Sequence, residues 1–289
     1  MKIHLIDGTY ELFRAHFGAP PKKSASGQEV GATLGMMRSL LMLLQSGDVT
    51  HVAVAFDHVI ESFRNKLYAG YKTSEGVDPI ILNQFELAEK AVSALGVVVW
   101  PQVKFEADDA IATATARFKK DKSVDQVVIC SVDKDLTQMV DGKKVICWDR
   151  RREIFLDEKG VVEKFGVKPE SIPDYLALVG DSADGYPGIQ GWGAKSTSTV
   201  LEKFKHIESI PRDPKKIPLG LGRATTLVEN LQKNYKDALL FRELSTLRED
   251  VPLKESLKDL EWKGAYPRLK KVCQELREER IAERVMKWR

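Results

Sequence analysis

A chain of 289 residues, 43% of them hydrophobic, is long enough for one large core or two modest ones. It has no apolar run long enough to span a membrane, and its start, MKIHLIDG, enters a strand directly with no signal-peptide layout. Three widely spaced cysteines (Cys130, Cys147, Cys273) form no CxxC pair, which argues for buried free thiols in a reducing cytoplasm and against a disulfide framework or a zinc site.

The net charge of +3 is unevenly placed. Tyr186–Arg289 carries 22 basic and 15 acidic residues, whereas the rest carries 23 and 27. A basic part that grips a polyanion, joined to an acidic part that holds cations, is one reading; a solvated helical surface is the other.

In chain order, KIHLID predicts a first strand and Val30–Leu44 an apolar helix. HVAVAFD is a second strand, rich in apolar residues and bounded by polar ones. Pro79–Leu95 has Ile81, Phe85, Ala88 and Val92 at helical spacing, and Gly96 ends it. GVVVW predicts a third strand, Asp108–Phe118 an alanine-rich helix with acids at its positive end, QVVICSVD a fourth strand and KKVICWD a fifth. Strands alternating with helices imply a parallel sheet with right-handed crossovers. Beyond about Phe165 no strand is evident, and short helices broken by Gly and Pro are expected.

Acids recur along this pattern: Asp7, Asp57, the group Glu106/Asp108/Asp109, the pair Asp133/Asp135 and the pair Asp181/Asp184. Several follow a strand, at the edge where open α/β sheets bind ligands. Each alone reads equally as a helix cap or turn residue. Together they would repel one another unless a cation joined them, and magnesium takes carboxylate and water oxygens while leaving room for a phosphate. Asp133 and Asp135, two apart in extended chain, would face the same side. Asp181 and Asp184, three apart, would be neighbours on a helical turn.

Two further segments suggest nucleic acid. Gly188-Ile189-Gln190-Gly191-Trp192-Gly193-Ala194-Lys195-Ser196 places glycines before a helix start, where exposed backbone amides can hold a phosphate without reading a base. It is neither a Walker A loop nor a dinucleotide fingerprint. An ordinary glycine-rich turn is the plainer alternative. Phe63–Val77 mixes bases and aromatics, is too polar for core, and reads as a loop or arch whose Arg64, Lys66, Tyr71 and Lys72 face phosphates and bases.

The ordered set IDG, AFD, FR-x-x-LY-x-x-YK, E-A-D-D, S-x-D-K-D-L, GDSADGYPGIQGWGAKS and REDVPL resembles the bacterial 5′→3′ exonuclease/flap endonuclease family, over residues 1 to 253. That family includes the N-terminal nuclease of DNA polymerase I and stand-alone relatives. The resemblance implies a PIN-like or resolvase-like α/β domain over 1–165, with an arch near 63–95. It implies a helical DNA-binding region over 166–289, with a helix-hairpin-helix element near 176–205. It also implies two magnesium ions, which manganese can replace: Asp7, Asp57, Glu106, Asp108 and Asp109 serve the tighter site, and Asp133, Asp135, Asp181 and Asp184 complete it and form the second.

A potassium ion helping to bridge hairpin carbonyls to a phosphate is implied as well. Arg14, Tyr71 and Lys72 match positions near the scissile region, and Gly188, Gly191, Gly193, Lys195 and Ser196 match the duplex clamp. The chain departs from the family pattern at Thr73-Ser74-Glu75-Gly76, where another base is usual, at Ala183, Gly185 and Tyr186, and at Trp192. The activity so implied is cleavage of DNA with 5′ flaps, nicks or ends, or of RNA–DNA hybrids in primer removal. The expected setting is a monomer near the nucleoid, with a DNA polymerase as a partner. A PIN-type ribonuclease would not need the glycine hairpin, and a non-catalytic binder of branched DNA would not need the acids.

Overall fold

The computed structural model describes residues 1–289. Its elements are β1 (Lys2–Asp7), α1 (Gly8–Gly18), α2 (Gly31–Leu44), β2 (His51–Asp57), α3 (Arg64–Leu67), α4 (Pro79–Leu82), α5 (Phe85–Ala94), β3 (Val98–Gln102), α6 (Ala107–Phe118) and β4 (Gln126–Cys130). There follow β5 (Val145–Asp149), β6 (Ile154–Leu156), α7 (Glu158–Phe165), α8 (Ile172–Val179), α9 (Ala194–Phe204), α10 (Leu221–Lys233), α11 (Tyr235–Ser245), α12 (Leu269–Glu275) and α13 (Arg280–Glu283). They divide into two compact units, one of Met1–Ile60, Ser74–Val132 and Glu249–Arg289, the other of Glu61–Thr73 and Asp133–Arg248. No helix is long and apolar enough to cross a membrane.

In the first unit the strands run in the order β3-β2-β1-β4, all parallel. β1, β2 and β4 are buried along almost their whole length instead of alternating, as a parallel sheet covered on both faces requires. Helix α6 packs on β1, β2 and β3, and its buried alanines (Ala107, Ala110, Ala112, Ala114) let it lie close. The turn from β1 into α1 passes through Gly8. A Cβ there would stand 2.7 Å from the Ala55 carbonyl oxygen, so only glycine lets the helix start against β2. Pro101 sits in β3, which within this unit pairs only with β2.

The helix expected over Pro79–Leu95 is two helices, α4 and α5. Between them Gln84 turns fully inward, and its Oε1 accepts from the backbone N–H and the hydroxyl of Thr33 at 3.1 and 3.2 Å. A tertiary partner thus overrides an unbroken periodicity.

The second unit is mainly helical, with β5 and β6 as an antiparallel pair. Helix α11 packs on α8 and α3. The Phe241 ring meets Tyr186 in a stacked contact at 5.5 Å and Tyr68 edge-on at 5.6 Å. The segment read as too polar for core contributes to this interior. Arg64 is 1% exposed and Tyr71 3%. The Arg64 guanidinium donates to the carbonyls of Leu244 (2.7 Å) and Thr246 (3.1 Å) and lies against Phe63. So enclosed, its guanidinium is out of reach of a phosphate, and the expectation that Arg64 faces one is corrected.

Candidate metal centre and nucleic-acid interface

In the first unit the sheet's C-terminal edge carries the acids. Asp7 ends β1 and caps α1, accepting the Tyr10 N–H at 2.8 Å; its other oxygen accepts the Ser131 hydroxyl at 2.8 Å. Asp57 ends β2 and accepts the Ala107 N–H at 2.7 Å, which fastens the start of α6 to that strand end. Glu106 and Asp109 form a reciprocal capping box, the Asp109 carboxylate taking the Glu106 N–H at 3.0 Å. Both readings of these acids hold at once: they cap helices, and they do so at the ligand-binding edge. Each carboxylate oxygen has a second lone pair, so a cap does not exhaust it. Asp7, Glu106 and Asp109 are buried, while Asp57 and Asp108 are half-buried.

In the second unit Asp135, Asp181 and Asp184 come together, each buried, with one carboxylate oxygen of each within 4.8 Å of the others. Asp133 is not one of the three whose oxygens come within 4.8 Å of one another. The chain there is not extended: Lys134 has helical dihedrals and a 3-10 turn starts at Asp135, so Asp133 accepts the Asp135 N–H at 2.8 Å as a turn cap. Asp181 and Asp184 lie on a tight loop, not on a helix. It is closed by Asp181 N–H to Tyr186 O (2.9 Å) and Tyr186 N–H to Asp181 O (3.1 Å). Gly185, at φ 87°, brings this loop against the chain at Gly70, where a Cβ would stand 2.2 Å from the Gly70 carbonyl oxygen. Lys72 thereby pairs with Asp184 through its backbone N–H (2.9 Å) and through its ammonium (3.0 Å).

The electrostatics follow from this packing. Burial holds the Asp135 carboxyl well above the usual carboxylate range, and Asp133, Asp184 and Asp181 push it further while Lys72 opposes them. Its Oδ1 is buried without a hydrogen-bond partner. Burial also raises the Tyr186 hydroxyl, with Asp135, Asp184 and Asp181 adding to the effect. Burial works against the Lys134 ammonium, but the hydrogen bond and charge of Asp181 outweigh it and raise its pKa. An all-carboxylate donor set with an unpartnered buried oxygen fits a hard divalent cation.

Arg14, on α1, pairs with Glu11 and donates to the Ser39 hydroxyl at 2.9 Å. In the glycine segment Trp192 is buried and donates its ring N–H to Leu227 O at 3.0 Å. Gly193 is the residue before α9, whose first turn holds an exposed Lys195 and a buried Ser196. The carbonyls of Gln190 and Gly191 accept from Asn230 (2.8 Å) and Arg223 (2.7 Å). Sequence reasoning missed Arg223, Asn230, Ser131 and Lys134. Only Lys134 carried a signal, its place between two aspartates.

The fold and these carboxylates define a class: an α/β protein that gathers acids suited to a divalent cation. The family model described as the 5′-3′ exonuclease N-terminal resolvase-like domain matches residues 2–166, and that of the 5′-3′ exonuclease C-terminal SAM fold matches 167–268. The chain is 33% identical over 278 residues to a 5′-3′ exonuclease of Aquifex aeolicus, covering 96% of this chain and 91% of that one. It is 36% identical over 260 residues to DNA polymerase I of Rhizobium leguminosarum, covering 87% of this chain but only 25% of the polymerase. Among solved structures, the T5 D15 protein co-crystallised with metal ions aligns with a TM-score of 0.67 at 18% identity, over 85% of this chain and 89% of that one. Flap endonuclease-1 from Methanococcus jannaschii aligns at 0.55 and 17%, over 89% and 81%. The chain belongs to the 5′-3′ exonuclease family.

Proposed function

We propose that this chain is a structure-specific 5′ nuclease that hydrolyses phosphodiester bonds of DNA at 5′ flaps, nicks and ends, and of RNA–DNA hybrids in primer removal. The observation that carries the reading is the buried trio Asp135, Asp181 and Asp184, with an unpartnered oxygen, on a chain of this family. Two sets of carboxylates would hold magnesium, or manganese in its place: Asp7, Asp57, Glu106, Asp108 and Asp109 in one unit, Asp133, Asp135, Asp181 and Asp184 in the other, with Asp133 also shaping the turn. Bound there, divalent cations supply a water of lowered pKa and stabilise charge on the phosphate and the leaving oxygen.

The residues' own work is separable from that. Asp7 and Asp57 hold the starts of α1 and α6 at the strand ends, and Asp109 closes the first turn of α6, so these carboxylates are held in place. Lys72 and Lys134 offset the carboxylates' mutual repulsion. Lys72 meets the trio directly at Asp184, and Arg14 is assigned to the scissile region on the family resemblance; Tyr71, being buried, supports Lys72 instead of stacking on a base.

The glycine segment, read as the hairpin of a helix-hairpin-helix element, clamps duplex through backbone N–H groups of Gly188 and Gly191, with Lys195 and Ser196 at the α9 start. The Gly193 N–H is given to the Gly191 carbonyl at 3.1 Å, so Gly193 serves by shaping the turn. A potassium ion bridging the hairpin carbonyls would compete there with Arg223 and Asn230. A DNA polymerase partner, a monomeric state and a place at the nucleoid complete the proposal. Labelled 5′-flap, nicked and single-stranded DNA, with magnesium and with EDTA, test it: flap and nick cleavage that needs the metal is expected, and metal-independent cleavage, or none on any of the three, would sink it.

Lys195→Ala is expected to weaken duplex binding evenly across sequences and to lower the salt slope by about 1, the share of one phosphate contact. Binding isotherms on two unrelated duplex sequences over a salt series check this. A sequence-dependent loss or an unchanged slope would remove the clamp role.

A further inference from the structure

The carboxylate trio is not left to face itself. Lys134 extends its ammonium to Asp181 Oδ2 at 2.6 Å, while Asp181 Oδ1 accepts the Ala183 N–H at 2.9 Å. Both oxygens of Asp181 are therefore engaged, one by the loop's own backbone and one by a side-chain cation. The carboxylate cannot swing away, because its residue is bonded to Tyr186 through both N–H and C=O. Lys134 can: its side chain is 36% exposed and its backbone lies in the turn between Asp133 and Asp135. Lys72, the other lysine at the trio, is more tightly held. Its N–H bonds Asp184 O, and its carbonyl accepts from Asn65 at 2.9 Å.

We infer that Lys134 is an internal counter-ion of the Asp135–Asp181–Asp184 trio which a divalent cation has to displace, so that this lysine sets the affinity and selectivity of the site. The inference rests on the reading of the trio as a cation site. A cation reached by Asp135 Oδ1 and Asp181 Oδ2 would stand within a few ångströms of the Lys134 ammonium, and two like charges so close in a buried setting repel strongly. The ammonium therefore leaves Asp181 for solvent as the cation arrives, and returns as it departs. The trio thus alternates between two charge-balanced states. The lysine weakens the site for any cation too poorly charged, or too reluctant to shed water, to outcompete it. Lys134 is a positioning residue in this scheme and touches no reacting atom.

The test uses the full chain and manganese alone, with free Mn²⁺ read by its electron paramagnetic resonance signal. Lys134→Gln is expected to tighten the weaker class of Mn²⁺ sites by about tenfold or more, since a charge within about 4–6 Å shifts a competing charge's equilibrium by about one to three decades. Lys134→Arg keeps the charge and should stay within about threefold of wild type, short of the one decade taken as the smallest charge effect. In EDTA the melting temperature of Lys134→Gln should fall below that of wild type, and Mn²⁺ should restore it, because the uncompensated trio is what destabilises the variant.

A merely structural lysine would lower the melting temperature without tightening the cation. Asp181→Asn separates the two levels of the argument. If it leaves Mn²⁺ stoichiometry unchanged, the cation reading of the trio fails, and the role of Lys134 fails with it. If it removes one ion while Lys134→Gln binds manganese no more tightly than wild type, Lys134 alone is overturned.

Discussion

Asp135→Asn is expected to slow single-turnover cleavage of a 5′-flap substrate in magnesium by at least about a hundredfold, the scale of losing one preorganised electrostatic group. The same variant is expected to be more stable than wild type to urea in EDTA, by about 1–3 kcal/mol, the usual cost of a buried unsatisfied polar group. The two effects have one cause. The Asp135 carboxylate is buried, has an oxygen without a partner and faces Asp133, Asp184 and Asp181. That arrangement serves a cation and costs the apo fold, and an amide of the same shape removes the charge. The sign with pH follows. The folded chain keeps the Asp135 proton to a higher pH than the unfolded chain, where the group titrates near about 4. Wild-type stability in EDTA should then decline as pH rises from that value through the raised one, and the variant should not show this decline. Cleavage within a few-fold of wild type would refute the assignment, and lost stability with lost cleavage would show a damaged fold instead of a missing ligand.

The acids were legible because a parallel α/β sheet presents the C-terminal ends of its strands at one edge, and Asp7 and Asp57 follow strands of unmistakable type. Their division of labour was not. Asp133 and Asp135 are the same residue two positions apart, and the 3-10 turn is what makes one cap the other's N–H and buries Asp135 against Asp181 and Asp184. Lys134 lies between them, a signal of its own, but its partner Asp181 is far along the chain and is not visible in local pattern. The same limit broke the helix over Pro79–Leu95: Gln84 fits a helical register and is claimed by Thr33 from α2. Local pattern fixes which elements form. Which polar group each buried side chain answers to is settled by distant backbone.

That distinction matters most at the lysines of the trio. A reading based on carboxylates alone predicts a site of mutual repulsion that waits for a cation to relieve it. The structure shows two carboxylates already answered by lysines, Asp181 by Lys134 and Asp184 by Lys72, and one, Asp135, left with an unpartnered oxygen. Partial neutralisation lowers the cost of the metal-free fold while preserving one strong reason to bind a cation. Full neutralisation would remove that reason, and none would leave several buried charges to destabilise the unit.

Arg64→Ala is expected to destabilise the chain by about 3–5 kcal/mol, combining the cavity left by a large buried side chain with unsatisfied main-chain acceptors. A melting temperature lower by about 10 °C should follow. Sequence placed this arginine at a phosphate, since it stands among aromatics and bases. The structure gives it carbonyls 180 residues away, at Leu244, and at Thr246 beyond, and closes Phe63 over it. It thereby pins the short α3 to the end of α11, beside the chain that delivers Lys72 to Asp184. Arg64→Lys should restore little, because an ammonium cannot donate along two fixed directions as the guanidinium fork does. Thermal unfolding gives the stability loss, and a salt series of flap-DNA binding well below the melting temperature separates the two roles. A folded Arg64→Ala protein should keep the wild-type salt slope, since no phosphate contact is lost. A variant with wild-type melting temperature and a slope lowered by about 1 would return Arg64 to the DNA surface and take it out of the core.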